Sequence, residues 1–208
     1  MNKYIRFAKY FLRYPYLTSK YLFYKKILKR GEMKYKGLKI NSPLFYEIVE
    51  KRINLNKIEK ISENEFICEI KDLGKFYIKN GIAPDLGIYQ YYQLNVKDKV
   101  VLDIGAYVGD SAIYFIRRGA KKVYAYEPIK EFYEIMLKNI ELNNLKDKII
   151  PINYGIDCNS GKNYINLSGG ASGLEEGKIE INLKSIKDIF KEIYEKEGEF
   201  VTKIDCEG

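Results

Sequence analysis

The sequence contains no histidine. That excludes His-based nucleophilic triads, histidine metal sites and the side chain that most often serves as general base near neutral pH. A proton acceptor in this chain is therefore Asp, Glu, a perturbed Lys or Tyr, or water. Cysteine is scarce: Cys68, Cys158 and Cys206 are odd in number and lack metal-ligand spacing. No metal site and no disulfide framework are expected, and a reducing cytosol is the expected compartment. No apolar run reaches the ~18 residues of a spanning helix, and the N-terminus lacks the apolar core and cleavage site of a secretory signal. Acids are nearly absent from one stretch. Residues 1–39 hold twelve Lys or Arg against one acid, Glu32, a balance of +11. The other 24 basic and 27 acidic side chains give −3, so the net +8 belongs to the N-terminal stretch alone.

The chain is organised around residues 99–116, KVVLDIGAYVGDSAIYFI. Val100, Val101, Leu102 and Ile104 form a short, β-branched apolar run that reads as a strand buried on both faces. Gly105 and Gly109 bracket a tight turn. Asp110 or Ser111 is placed to cap a following helix, on which Ala112, Ile113, Phe115 and Ile116 form a packed face. Strand, glycine turn and helix make the first unit of a nucleotide-binding α/β fold. A dinucleotide fingerprint carries a second glycine where this chain has Tyr107, and a phenol there obstructs backbone approach to a diphosphate. The pattern suits a nucleoside without a phosphate chain, such as S-adenosylmethionine.

A second strand, residues 122–126, ends in Glu127 and Pro128. An acid about 20 residues beyond the glycine turn, at a strand's carboxyl end, is where a ribose diol is bound. Two hydroxyls can donate to one carboxylate, and Pro128 ends the strand and sets the next helix.

Three blocks carry a family resemblance: residues 103–111 (DIGAYVGDS), 126–128 (YEP) and 203–208 (KIDCEG). In order and spacing they resemble the FkbM-type S-adenosylmethionine-dependent methyltransferases, from roughly residue 80 onward. The third block is the most discriminating. Tyr107 departs from the family, which usually has asparagine there. The family's third block continues beyond Gly208, where this chain stops. The resemblance implies that Asp205 and Glu207 matter without assigning their roles.

Elsewhere, residues 1–14 and 18–30 suit two basic amphipathic helices rich in Tyr and Phe. Such a pair fits an anionic membrane surface, a nucleic acid, or packing on the rest of the protein with its charges solvated. Residues 40–60 are expected to be helical around 44–52. Residues 66–70 and 75–79 flank a plausible hairpin turn, and 86–94 reads as a short helix. After Glu127, a helix over 131–143 buries Phe132, Ile135, Met136 and Ile140. A third strand begins at 148–152 and runs on towards Ile156, where Tyr154 and Ile156 offer apolar surface to adenine. Residues 168–173 are a small-residue linker or lid. A strand at 178–183 precedes a helix capped by Ser185. Residues 199–204 form a strand that ends at Asp205 beside the strand ending at Asp103.

The expected fold is α/β, a Rossmann-like class I methyltransferase sheet incomplete at the C-terminus. The expected parts are a basic helical appendage (1–39), an α+β preamble (40–97) and a cofactor domain (98–208). The expected cofactor residues are Asp103, Gly105, Ala106, Tyr107, Gly109, Glu127, Pro128 and Ile156. Asp103 is assigned to the methionyl end and Glu127 to the ribose. Asp205 is the candidate base or acceptor-orienting acid, with Glu207 the alternative. The expected reaction is O-methylation of a sugar or other hydroxylated small molecule, lipid-linked in one version, by a cytoplasmic protein, with peripheral contact of residues 1–30 at the inner face of an anionic membrane as one alternative for that stretch. A nucleic-acid methyltransferase and an inactive, shortened methyltransferase are the alternatives. Against the former, the Asn/Asp-Pro-Pro-aromatic motif of base-amino enzymes is replaced here by Ile204-Asp-Cys-Glu207.

Overall fold

The computed structural model describes residues 32–35, 38–41, 55–80, 82–85, 94–167 and 177–205. The expected helices at 1–14, 18–30 and 44–52, nearly all of the one at 86–94, the loop 168–173 and Glu207 lie outside these residues. The chain divides into two compact units, residues 1–52 and 53–208. The expected boundary at 97/98 falls inside the second unit.

In the first unit, β1 (Glu32–Tyr35) and β2 (Leu38–Asn41) pair antiparallel, Glu32 against Asn41 and Tyr35 against Leu38. This hairpin was not expected; it occupies the end of the stretch read as helical.

The second unit begins with a three-stranded meander, β3 (Leu55–Lys60), β4 (Glu65–Ile70) and β5 (Gly74–Lys79). The hairpin β4–β5 falls where it was expected. While the helix expected around 44–52 lies outside the described residues, β3 shows strand rather than helix at the end of residues 40–60. Its buried residues Leu55 and Ile58 are three apart, a helical spacing. The strand accommodates that spacing because its register with β4 shifts between Leu55 and Lys57, and the extra residue returns both side chains to one face.

The main sheet is parallel, in the order β12-β6-β7-β8: β6 is Val100–Ile104, β7 Lys122–Tyr126, β8 Ile149–Ile152 and β12 Phe200–Ile204. Every residue of β6 is buried, as its run of apolar residues requires. The two faces of β6 and β7 have separate partners. Val100, Leu102, Ile104, Tyr124 and Tyr126 pack with Ile189 and Ile193 of α3 (Ile186–Glu197). The other face meets α1 (Asp110–Arg117) and α2 (Lys130–Leu142), whose Phe132, Ile135, Met136 and Ile140 are buried as expected.

Because β7 and β8 lie to one side of β6 and β12 to the other, the strand order reverses at β6. The crevice at such a switch point, outside the carboxyl ends of the strands, is where open α/β sheets bind ligands. A second small sheet joins β9 (Gly155–Asp157) parallel to the end of β11 (Gly177–Ser185), and β11 antiparallel to β10 (Gly161–Leu167).

Two further expectations are corrected. The third strand does not run on to Ile156: it ends at Ile152, and residues 155–157 join the other sheet. Neither Asp110 nor Ser111 caps α1, and Ser185 makes no side-chain cap on α3. Ser111 and Asp110 are engaged elsewhere. Among the described residues no helix is long and apolar enough to cross a membrane.

Candidate functional site

The turn after β6 is held by its neighbours' backbones. The amides of Gly105 and Ala106 both donate to Tyr126 O, at 3.0 and 2.9 Å, tying the turn to the end of β7. Gly109 N donates to Ala106 O at 2.7 Å and closes it. Gly109 has φ +79°, and a Cβ there would stand 2.7 Å from Met136 Cγ, so both conformation and space call for glycine. Tyr107 also has a positive φ, 50°, a conformation costly for a residue with a bulky side chain. Its ring packs edge-on against Phe132, with centroids 4.6 Å apart.

Glu127 lies directly after β7 and is 5% exposed. Its Oε2 accepts from Tyr107 N and its Oε1 from Ile129 N, each at 2.9 Å. Burial is the largest influence on this carboxyl and pushes it up to about 7; the Ile129 and Tyr107 amides and the Lys203 ammonium oppose the rise, and Asp103 adds to it. A carboxylate has roughly four lone-pair positions, and the two backbone bonds leave capacity for a diol. Asn153 Nδ2 donates to the carbonyls of Glu127 and Pro128, at 2.8 and 3.1 Å, so the end of β8 holds this corner as well.

Beneath the turn is a buried ionic pair. Asp103 and Lys203 face each other in register on adjacent parallel strands, 0% and 5% exposed. Lys203 Nζ stands 3.0 Å from Asp103 Oδ1, a close ion pair outside hydrogen-bond geometry. The same ammonium donates to Gly105 O at 2.6 Å and more weakly to Ile104 O at 3.3 Å. Asp103 Oδ2 accepts from Ser111 Oγ at 2.6 Å. Asp110, also buried, accepts from Asp85 N at 2.6 Å and so ties the segment before the sheet to the start of α1.

The turn residues Gly105, Ala106, Tyr107 and Gly109 and the acid Glu127, with Pro128 after it, meet at one corner. Asp103 lies under that corner, its carboxylate turned to Ser111 and Lys203. Asp205 follows β12, level with Gly105 across the β6–β12 pair; it is exposed, and its amide donates to Ile104 O at 3.1 Å. Ile156 packs partly buried against the core beneath α3, and Tyr154 is 36% exposed. Sequence reasoning quoted Lys203 in its motif without giving it work, although a lysine inside an apolar strand is itself a signal. Residues 153–157 are expected from the sequence to meet adenine, but neither the bonds from Asn153 to the Glu127 and Pro128 carbonyls nor the Ser111–Asp103 bond is shown by spacing.

The model of the family described as "Methyltransferase FkbM domain" matches residues 103–208, slightly more than half of the chain. Protein 158B of Sulfolobus islandicus rod-shaped virus 1 is 36% identical over 52 residues, which are 25% of this chain and 33% of that protein. The chain thus spans a third of the length of this curated relative. Methanocaldococcus jannaschii Trm5, solved in complex with adenosine, is similar at 28% identity and TM-score 0.32, over 48% of this chain and 29% of its own. A SAM-dependent methyltransferase from Agrobacterium tumefaciens is similar at 14% identity and TM-score 0.36, over 47% of this chain and 34% of its own.

Proposed function

The chain belongs to the FkbM methyltransferase family, and on that premise we propose that it binds S-adenosylmethionine at the crevice where β6, β7 and β12 end and methylates a hydroxyl of a sugar or another hydroxylated small molecule. The observation that carries this reading is Glu127. A carboxylate is buried at a strand end, braced by two amides and left with acceptor capacity at the place where a nucleoside ribose is held. The turn at residues 105–109 supports it, since Gly105 directly follows the carboxyl end of β6 with no side chain, and Tyr107 disfavours a diphosphate. Asp103 serves the methionyl end indirectly, by fixing the turn from below through Ser111 and Lys203.

When bound, S-adenosylmethionine supplies a methyl group on a sulfonium whose leaving group is a neutral thioether. The protein's own contribution is therefore mostly alignment. Glu127 fixes the ribose. The buried Lys203–Asp103 pair keeps the carbonyl of Gly105 pointing inward and the turn in one shape. Asp205, exposed at the mouth of the same crevice, is the group proposed to orient the acceptor hydroxyl and take its proton. Glu207 is the proposed alternative.

Transfer of labelled methyl from S-adenosylmethionine to mono- and oligosaccharides, with RNA as the comparison, tests the acceptor class. Label on sugar oxygen supports it. Label on RNA with none on hydroxylated small molecules overturns the acceptor assignment.

A further inference from the structure

One face of α2 is spent on the turn and the meander together. Met136 packs where a Cβ of Gly109 would be. Asn139, 0% exposed, donates from Nδ2 to Val108 O at 2.9 Å and accepts at Oδ1 from Tyr77 N at 2.7 Å. Asn143, one helical turn on, accepts from Lys75 N at 3.0 Å and donates to Lys75 O at 2.6 Å. Both asparagines thus complete the outer edge of β5, but of the two only Asn139 is seen to reach the turn.

That difference matters because of Tyr107. A non-glycine residue in the left-handed region persists only where its surroundings hold it there. Tyr107 is gripped on both sides: its own amide donates to Glu127, and the carbonyl of the next residue accepts from Asn139. The two-residue segment Tyr107–Val108 is therefore held at its two ends, its leading N–H by the acid proposed for the ribose and its trailing C=O by a buried amide on α2.

We propose that Asn139 is a positioning residue for donor binding, acting through Val108 and Tyr107 to hold Glu127 in its ribose-binding geometry. The inference rests on the donor-binding reading of the turn. It gives the meander a part in that binding, since the side chain that orders the turn is itself aligned by Tyr77.

Three variants of the full chain test it. Asn139→Asp keeps an acceptor for Tyr77 N and removes the donor to Val108 O. Asn139→Ser serves if that variant does not fold. Asn143→Ala loosens β5 without touching the turn. Two readouts are needed: calorimetric affinity for S-adenosylhomocysteine, well below each variant's unfolding temperature, and amide exchange of the unliganded protein across residues 103–113. The expected result is faster exchange at residues 107–109 and affinity weaker by on the order of tenfold in the Asn139 variants, as for a lost buried hydrogen bond. Asn143→Ala is expected to lower stability and leave both readouts at wild-type values. Wild-type affinity in a folded Asn139 variant, or equal losses in the Asn139 and Asn143 variants, overturns the inference and leaves the donor reading intact. Absence of binding by the wild-type protein, with exchange still accelerated by Asn139→Asp alone, overturns the donor reading and leaves the ordering of the turn standing.

Discussion

Lys203 and Asp103 stand directly opposite each other on neighbouring parallel strands, buried, with Nζ 3.0 Å from Oδ1. The ammonium also holds Gly105 O, so one side chain balances a buried charge and shapes the start of the turn. Removing one member of such a pair strands the other. Lys203→Met and Asp103→Leu are each expected to destabilise the protein by about 3–5 kcal/mol, and the double variant by clearly less than their sum. Urea denaturation of the four proteins measures this; strict additivity contradicts it.

Glu127 makes stability depend on pH in a stated direction. Its carboxyl is raised by burial from the ordinary 4.5 to about 7 in the folded protein. Between those values the folded chain keeps a proton that the unfolded chain has released. The contribution of Glu127 to stability is therefore fully present below pH 4.5, falls as pH rises, and is gone above pH 7. The whole change is about 3 kcal/mol at most. Unfolding free energies of wild type and Glu127→Gln, compared from pH 4.5 to 8, should show wild type losing ground over this window, and a constant difference contradicts the assignment.

Gly109→Ala tests the turn's closure. The left-handed φ of +79° is strained for alanine, and the new Cβ meets Met136 Cγ at 2.7 Å. A loss of about 1–3 kcal/mol is expected, because Met136 can move but the backbone strain stays. Chemical denaturation measures it; wild-type stability would contradict this account of the turn.

Much of the central fold was legible because burial on both faces and turn chemistry left little choice. The strands at 100–104 and 122–126, the acid following the second and the buried face of α2 all follow from runs and spacings within one element. The placement of Asp205 beside the end of β6 followed from topology. The misses have local causes. β1 and β2 carry a period-two alternation of Met33, Tyr35, Leu38 and Ile40 that was legible but overshadowed by the basic charge around it. β3 hid behind a register shift that mimics helical spacing. The work of Lys203, Asn139 and Asn153 depends on bonds across 98, 31 and 26 positions of chain, which spacing within a motif does not encode.

Asp205→Asn separates proton transfer from binding. If Asp205 takes the proton of the acceptor hydroxyl, kcat falls by about 10²- to 10⁴-fold while affinity for S-adenosylhomocysteine is unchanged. Equal loss of turnover and cofactor affinity shows that Asp205 is not the base.

The basic stretch has its own test. Residues 1–39 carry +11; if they contact an anionic membrane, the protein sediments with vesicles containing phosphatidylserine, does not sediment with neutral vesicles, and is released by salt. Binding that ignores both lipid charge and salt contradicts this.

The most direct measurement of the central claim is calorimetric titration of wild type and Glu127→Gln with S-adenosylhomocysteine at pH 8, where the Glu127 carboxyl is ionised. A carboxylate holding the ribose hydroxyls predicts binding by wild type and affinity weakened by roughly ten- to a hundredfold in the variant, the worth of a hydrogen bond to a charged group. Equal affinity in the two folded proteins would contradict it.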